Sequence, residues 1–133
     1  IVASMNFIKV NYHDLNSKQK ENYNYHKVAS ALADYGYDSM RLNNDWEGAD
    51  FIAIKGDDML KVQLKGRFTI DKKYVGKEIK VAFLENGIIK IYDHDSVVSS
   101  LADNIADSKS WKTSGSYSWG QTPAKYAPLI LIL

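Results

Sequence analysis

Residues 50 to 65 constrain this chain more than any other stretch. They read Asp50-Phe51-Ile52-Ala53-Ile54, then Lys55-Gly56-Asp57-Asp58, then Met59-Leu60-Lys61-Val62-Gln63-Leu64-Lys65. Two β-rich runs around a cluster of turn residues predict a hairpin. With residues 55 to 58 as the loop, Ile54 pairs with Met59, and counting along the ladder sets Asp50 opposite Gln63. Side chains alternate between faces. Asp50, Gln63 and Lys65 therefore emerge on one face, and Phe51, Ala53, Leu60, Val62 and Leu64 fill the other. A carboxylate, an amide and an ammonium within about 5–8 Å of one another suit chemistry better than they suit a hydrophobic layer.

The surrounding punctuation predicts the other elements. Asn6 to Val10 reads as a short strand or an arm. Asn16 or Ser17 caps a helix to about Tyr35, stopped by Gly36, with Tyr25, Val28 and Leu32 as its apolar stripe. Asp38 to Asn43 forms a first strand, and 44 to 48 a polar loop. Thr69 to Gly76 reads as a basic connection. Glu78 to Leu84 and Ile88 to Tyr92 make a second hairpin around Asn86-Gly87. Asp93 or Asp95 caps a second helix to about Asp107. Residues 108 to 123 read as a long loop, and Ala127 to Leu133 as a buried closing strand. The alternation of helices and strands gives an α/β sandwich with a mixed sheet.

The 133 residues, 45% hydrophobic and 25% charged, suit one globular domain. Ile1 to Ser4 precede Met5 and read as a non-native leader. The absence of cysteine excludes disulfides, thiolate metal sites and cysteine nucleophiles. Any metal would take oxygen or histidine ligands. His13, His26 and His94 share no metal-type spacing and are expected at the surface or in caps. No apolar run approaches the ~20 residues of a membrane helix, and no secretory signal is visible, so a cytoplasmic protein is expected. The formal net charge is only +1, yet Lys61, Lys65, Arg67, Lys72, Lys73, Lys77 and Lys80 crowd residues 61 to 80. Acids gather at Asp93, Asp95, Asp103 and Asp107. A basic surface beside the proposed site follows from this asymmetry, unless it is simply a solvated lysine-rich loop.

Ala49-Asp50, then Gln63-Leu64-Lys65, resembles the motif of the PD-(D/E)xK nuclease superfamily. Ala49 stands in the proline position, and Gln63 where Glu, Asp or occasionally Gln occurs. The element order of residues 16 to 107 is similar to the family core. The resemblance implies a restriction-endonuclease-like three-layer sandwich of the α/β (α+β) class, with a central mixed β-sheet flanked by helices. It also implies an endonuclease that hydrolyses DNA with Mg²⁺ or Mn²⁺. Asp50 and the backbone carbonyl of Leu64 would hold the metal, Gln63 would assist, and Lys65 would orient the attacking water.

Glu21 sits on the apolar stripe of the first helix by spacing and is expected at the metal; otherwise it is a first-turn acid favoured by the helix dipole. Asp45 and Glu47 are further acids just before Asp50. Lys61, Arg67, Lys72, Lys73 and Lys77 would contact the DNA backbone. Trp111 and Trp119, in the long loop with Tyr117, would stack on bases, with Trp46 and Tyr126 as further aromatics. Core packing is the alternative for each of these rings. Double-strand cleavage by so small a domain implies a homodimer. The rival expectation is a nuclease fold decayed at Gln63 that binds nucleic acid or protein without cleaving.

Overall fold

The computed structural model describes residues 5–133; the expected leader, residues 1–4, lies outside them. Helix α1 (Ser17–Ala33) starts at Asn16, whose side chain accepts from the Gln19 N–H while the Gln19 side chain accepts from the Asn16 N–H. This reciprocal capping satisfies donors that a helix start leaves open. The chain continues through β1 (Asp38–Trp46), β2 (Ala49–Lys55), β3 (Asp58–Leu64), β4 (Thr69–Asp71), β5 (Ile79–Glu85) and β6 (Ile88–Asp93). It then passes through α2 (His94–Val98), α3 (Asp103–Ala106), β7 (Ser116–Ser118) and β8 (Ile130–Ile132).

Six strands form the central sheet in the order β1-β2-β3-β5-β6-β8, with β3 and β5 parallel and every other neighbour antiparallel. Helix α1 covers one face, where Val28 and Leu32 pack on Phe51, Ala53, Val62, Ala82 and Ile91. The other face carries the larger cluster: Val81, Phe83 and Tyr92 from the sheet, Phe68, Ile70 and Tyr74, Val97 and Ile105 from the later helices, and Trp111 and Tyr126. The result is an α/β sandwich with a mixed sheet between two layers.

The β2–β3 ladder runs from Lys55–Asp58 through Ile54–Met59 to Phe51–Val62. That is the register counted from the turn, with Gly56-Asp57 as its tight centre. Hairpin β5–β6 turns at Asn86-Gly87, both at positive φ (53° and 77°), as a type I′ turn requires. Strand β1 runs further than expected. It continues past a register shift to Trp46, and the turn into β2 is only Glu47-Gly48.

Three expectations need correction. Thr69 to Gly76 is not simply a polar connection: Phe68, Thr69 and Ile70 are buried, and β4 pairs with β7 from inside the expected long loop. The second helix breaks between α2 and α3, around Ser99-Ser100. The C-terminal strand lies at the sheet edge, leaving Leu131 and Ile132 68% and 65% exposed, so it is not buried. Met5 to Val10 is an arm without strand pairing.

Strand β4 is fastened to the sheet at Thr69 by the Tyr92 side chain. The Tyr92 hydroxyl accepts from the Thr69 N–H at 3.0 Å and donates to the Thr69 carbonyl. Both backbone groups are buried, and water does not replace such partners freely. Tyr92→Phe is expected to cost about 2–4 kcal/mol by stranding a donor and an acceptor together. Urea denaturation measures this; a loss below about 0.5 kcal/mol would mean that the Tyr92 clamp is not what holds β4.

Candidate active site

The site forms where the β2–β3 ladder runs out. The last ladder pair is Phe51–Val62, one step short of Asp50 and Gln63. Beyond it, the Leu64 N–H donates to Asp50 Oδ2 at 2.8 Å, so a carboxylate takes the place of a strand carbonyl. Gln63 turns onto the same residue, its Nε2 donating to the Leu64 carbonyl at 3.2 Å. This leaves the Gln63 Oε1 as the amide's acceptor. Gln63 pairs with Val81 across β5, so its side chain emerges on the face of the larger cluster.

Lys65 follows immediately. Its backbone N–H donates to the Ala82 carbonyl, which continues the parallel β3–β5 pairing. Its ammonium lies 5.5 Å from the centre of the Tyr74 ring. It makes no ion pair with Asp50, although each charge acts on the other. The structure thus gathers Asp50, Gln63, Leu64 and Lys65 at one strand end.

A cleft of about 270 Å³ opens over this point, lined by Lys18, Glu21, Arg41, Asn43, Asn44, Asp45, Asp50, Gln63 and Leu64 among others. Glu21 is not on a buried stripe. Its side chain is 65% exposed and pairs with Lys18 at 3.4 Å, because the buried residues of α1 are Val28 and Leu32, in its second half. It reaches the cleft at the rim. Arg41 forms a wall, its guanidinium donating to the Asn22 side-chain Oδ1 at 2.7 Å and lying over the Tyr25 ring.

Burial raises the Asp50 pKa above the ordinary 3.8; the Leu64 hydrogen bond and Lys65 pull it down, while Asp45 and Glu21 push it up further. Burial lowers the Lys65 pKa below 10.5, and Lys73 lowers it more, against Asp71 and Asp50. Both charges are held against their solvation preference, as functional sites often require.

Among the described residues, no three carboxylate, imidazole or thiolate side chains stand close enough to enclose a metal ion. The donors present are the Asp50 carboxylate, the Leu64 and Gln63 carbonyl oxygens and the acids of the rim. They are all hard oxygens and include a half-buried carboxylate repelled by its acidic neighbours. That set fits Mg²⁺ or Mn²⁺, which keep several waters and need few protein ligands.

The basic surface differs from the one expected. Lys61 is spent on Glu47 at 2.9 Å and lies 5.7 Å from the Trp46 ring. Lys80 pairs with Asp93, and Asp95 accepts from the Gly76 N–H, so acids expected elsewhere return to this region. Arg67, Lys72 and Lys77 are exposed and make no ion pair among the described residues, while Lys73 lies 4.0 Å from Asp71.

The loop tryptophans serve the core. Trp111 is 8% exposed with Lys72 over its ring, and partly buried Trp119 packs between Phe68, Tyr117 and Tyr126. Tyr126 is buried too. Trp46, beside the site, is 44% exposed. His94 is buried rather than superficial: its Nε2 accepts from the Asp71 N–H at 3.0 Å. Sequence reasoning missed Tyr74 and the wall residues Arg41, Asn43 and Asn44. The alternation Phe68-Thr69-Ile70 was a strand signal, and it leads directly into the Tyr74 turn.

The fold is that of a mixed α/β sandwich with a polar cleft at the end of the β2–β3 hairpin. No protein-family model matches the chain, and no curated protein matches it. Among solved structures it is similar to a bacterial homing endonuclease, I-Ssp6803I, with a TM-score of 0.52 over 84% of each chain. Sequence identity is 12%, so the likeness is one of fold. No helix among the described residues is long and apolar enough to cross a membrane.

The raised Asp50 pKa has a consequence for stability. Ionising this carboxyl costs the folded state free energy above its folded pKa and nothing below the unfolded value near 3.8. In Asp50→Asn the amide oxygen can still accept from Leu64, and the charge is gone. The variant is expected to be more stable at neutral pH by less than about 1 kcal/mol, since partial exposure screens the penalty. The gain should fade as pH falls below about 4. Denaturation at several pH values tests this; a variant less stable than wild type at pH 7 would contradict it.

Proposed function

We propose that this chain is a metal-dependent endonuclease of the PD-(D/E)xK kind that hydrolyses phosphodiester bonds in DNA. The observation that carries the reading is the convergence of Asp50 and Gln63 on the backbone of Leu64, with Lys65 next in the chain. Asp50 and the Leu64 carbonyl would hold Mg²⁺ or Mn²⁺, with Glu21 and Asp45 adding negative charge from the rim. When bound, the metal supplies Lewis-acid stabilisation of charge on the phosphate. Gln63 fixes the direction of the Leu64 carbonyl through its amide. Lys65 orients the attacking water and offsets the charge that develops on the phosphate oxygens.

Arg67, Lys72, Lys73 and Lys77 extend positive charge away from Lys65 and would attract the backbone of a DNA strand. Lys61, paired with Glu47, contributes less to that attraction and more to holding the Glu47-Gly48 turn. Trp46, beside the site and 44% exposed, has surface to offer a base. One cleft cuts one strand, so cleavage of both strands would require two copies of the chain.

One observation favours a second reading, a nuclease fold that binds DNA without cutting it. The Leu64 carbonyl already accepts a hydrogen bond from Gln63, which engages part of the expected metal site and brings no charge to it.

Incubation of supercoiled plasmid with Mg²⁺ or Mn²⁺ separates the two. Nicking or linearisation that disappears with EDTA, and falls by about 10²-fold or more in Asp50→Ala and Lys65→Ala, is the expected result. Salt-sensitive DNA binding with no cleavage under any metal would support the second reading. Cleavage untouched by both substitutions would remove the site from the reaction.

A further inference from the structure

Tyr74 is buried at the end of the 3-10 turn Lys72–Tyr74, inside a stretch whose sequence reads as a basic loop. Its ring touches both halves of the site described above. On one side it lies against Gly48: a Cβ added there would stand 2.8 Å from Tyr74 Cδ1 and 3.1 Å from Cε1. Gly48, at φ +90°, closes the turn that leads through Ala49 to Asp50. A side chain would be strained there and would also collide with the ring. Tyr74 therefore sets the course of the backbone that delivers the carboxylate.

The ring also holds cations. The Lys65 ammonium lies 5.5 Å from its centre, and that of Lys73 lies 5.2 Å away. A cation over an aromatic ring is attracted by the ring's quadrupole, and more strongly where water is partly excluded, as around half-buried Lys65. Lys65 has no ion pair among the described residues to fix it. Its four-carbon stem otherwise has many conformations. The platform is itself anchored. Tyr74 meets the buried His94 ring edge-on at 5.5 Å, and His94 is fastened through Nε2 to the Asp71 N–H.

We propose that Tyr74 is a positioning residue: its ring fixes the Lys65 ammonium relative to Asp50 by packing on the turn that precedes one and binding the other. This assignment rests on the endonuclease reading for its consequence in catalysis, but the placement of Lys65 can be measured without any cleavage.

Reductive ¹³C-methylation of the full chain gives each lysine a dimethylammonium signal, and Lys65→Arg identifies the one from Lys65. In the wild type that signal is expected upfield of exposed lysines, displaced by the ring current of Tyr74. Tyr74→Phe, which keeps the ring, should keep the displacement and leave plasmid cleavage within about twofold. Tyr74→Leu should return the signal to the exposed position and lower kcat by about 10–100-fold, with DNA affinity little changed. A wild-type Lys65 signal already at the exposed position overturns the proposal, whether or not the Leu variant folds. Equal loss of kcat in the Phe and Leu variants overturns it too, by assigning the effect to the hydroxyl. An upfield Lys65 signal that responds to the variants as stated, in a protein that cuts no DNA, upholds the placement and removes only the endonuclease reading.

Discussion

The turn at Gly56-Asp57 governs where everything else on this sheet points. It closes on the pair Lys55–Asp58 and so fixes the β2–β3 register. A slip of one residue would turn Phe51, Ala53 and Val62 away from α1 and Asp50 toward it. The buried pair Phe51–Val62, and Ala53 with partly buried Leu60, hold the register from the inside, because moving them costs apolar contact beneath α1. Once the register is set, the ladder ends at Phe51–Val62, and the Leu64 N–H needs an acceptor from outside it. Asp50 supplies one. The carboxylate is thus held at the strand end by ordinary backbone accounting.

That same bond leaves the carboxylate only partly compensated. It receives one backbone N–H and the distant charge of Lys65, against burial, Asp45 and Glu21. Lys65 in turn is pressed by burial and by Lys73. A purely structural pair would close into a salt bridge, as Lys80 and Asp93 do at 2.7 Å. Asp50 and Lys65 stay apart, each with its own neighbour: a backbone amide for one, an aromatic ring for the other. Two opposite charges kept near but separate are open to a polar ligand, and the proposed endonuclease reading places a phosphate and its cation there.

The parts of this site legible in the sequence were those fixed by local signals. Period-two alternation and turn residues sufficed for Asp50, Gln63 and Lys65, just as Asn86-Gly87 sufficed for the second hairpin and Asn16 with Gln19 for the start of α1. What escaped depends on distant pairing or on where an element overhangs. Strands β4 and β7 are three residues each and meet across a long stretch of chain, so neither announces its partner. Glu21 has the right helical spacing for the core, but spacing does not tell which turns of the helix are buried, and here they are those of Val28 and Leu32. Trp111 and Trp119 look like loop residues because their loop folds back to form β7 and cover the larger cluster.

The basic segment illustrates the difference best. Read as a run of lysines it is a solvated loop; in the fold it is braced at successive points. Tyr92 clamps Thr69, the Gly115 carbonyl takes the Lys72 N–H at 2.7 Å, His94 holds Asp71, and the Tyr74 ring wedges against Gly48. Tyr92, His94 and α2 all follow from one strand, β6, so the sheet itself reaches over to grip this segment. A cation on a braced backbone loses less freedom when it meets an anion than one on a free loop. For Lys65 and Lys72 the ordering cost is met during folding by aromatic rings and backbone bonds that have nothing charged in them, and for Lys73 by the Tyr74 ring together with the Asp71 carboxylate. That is why buried neutral residues, Tyr74 and Tyr92 first among them, matter as much to this surface as the lysines that give it its sign.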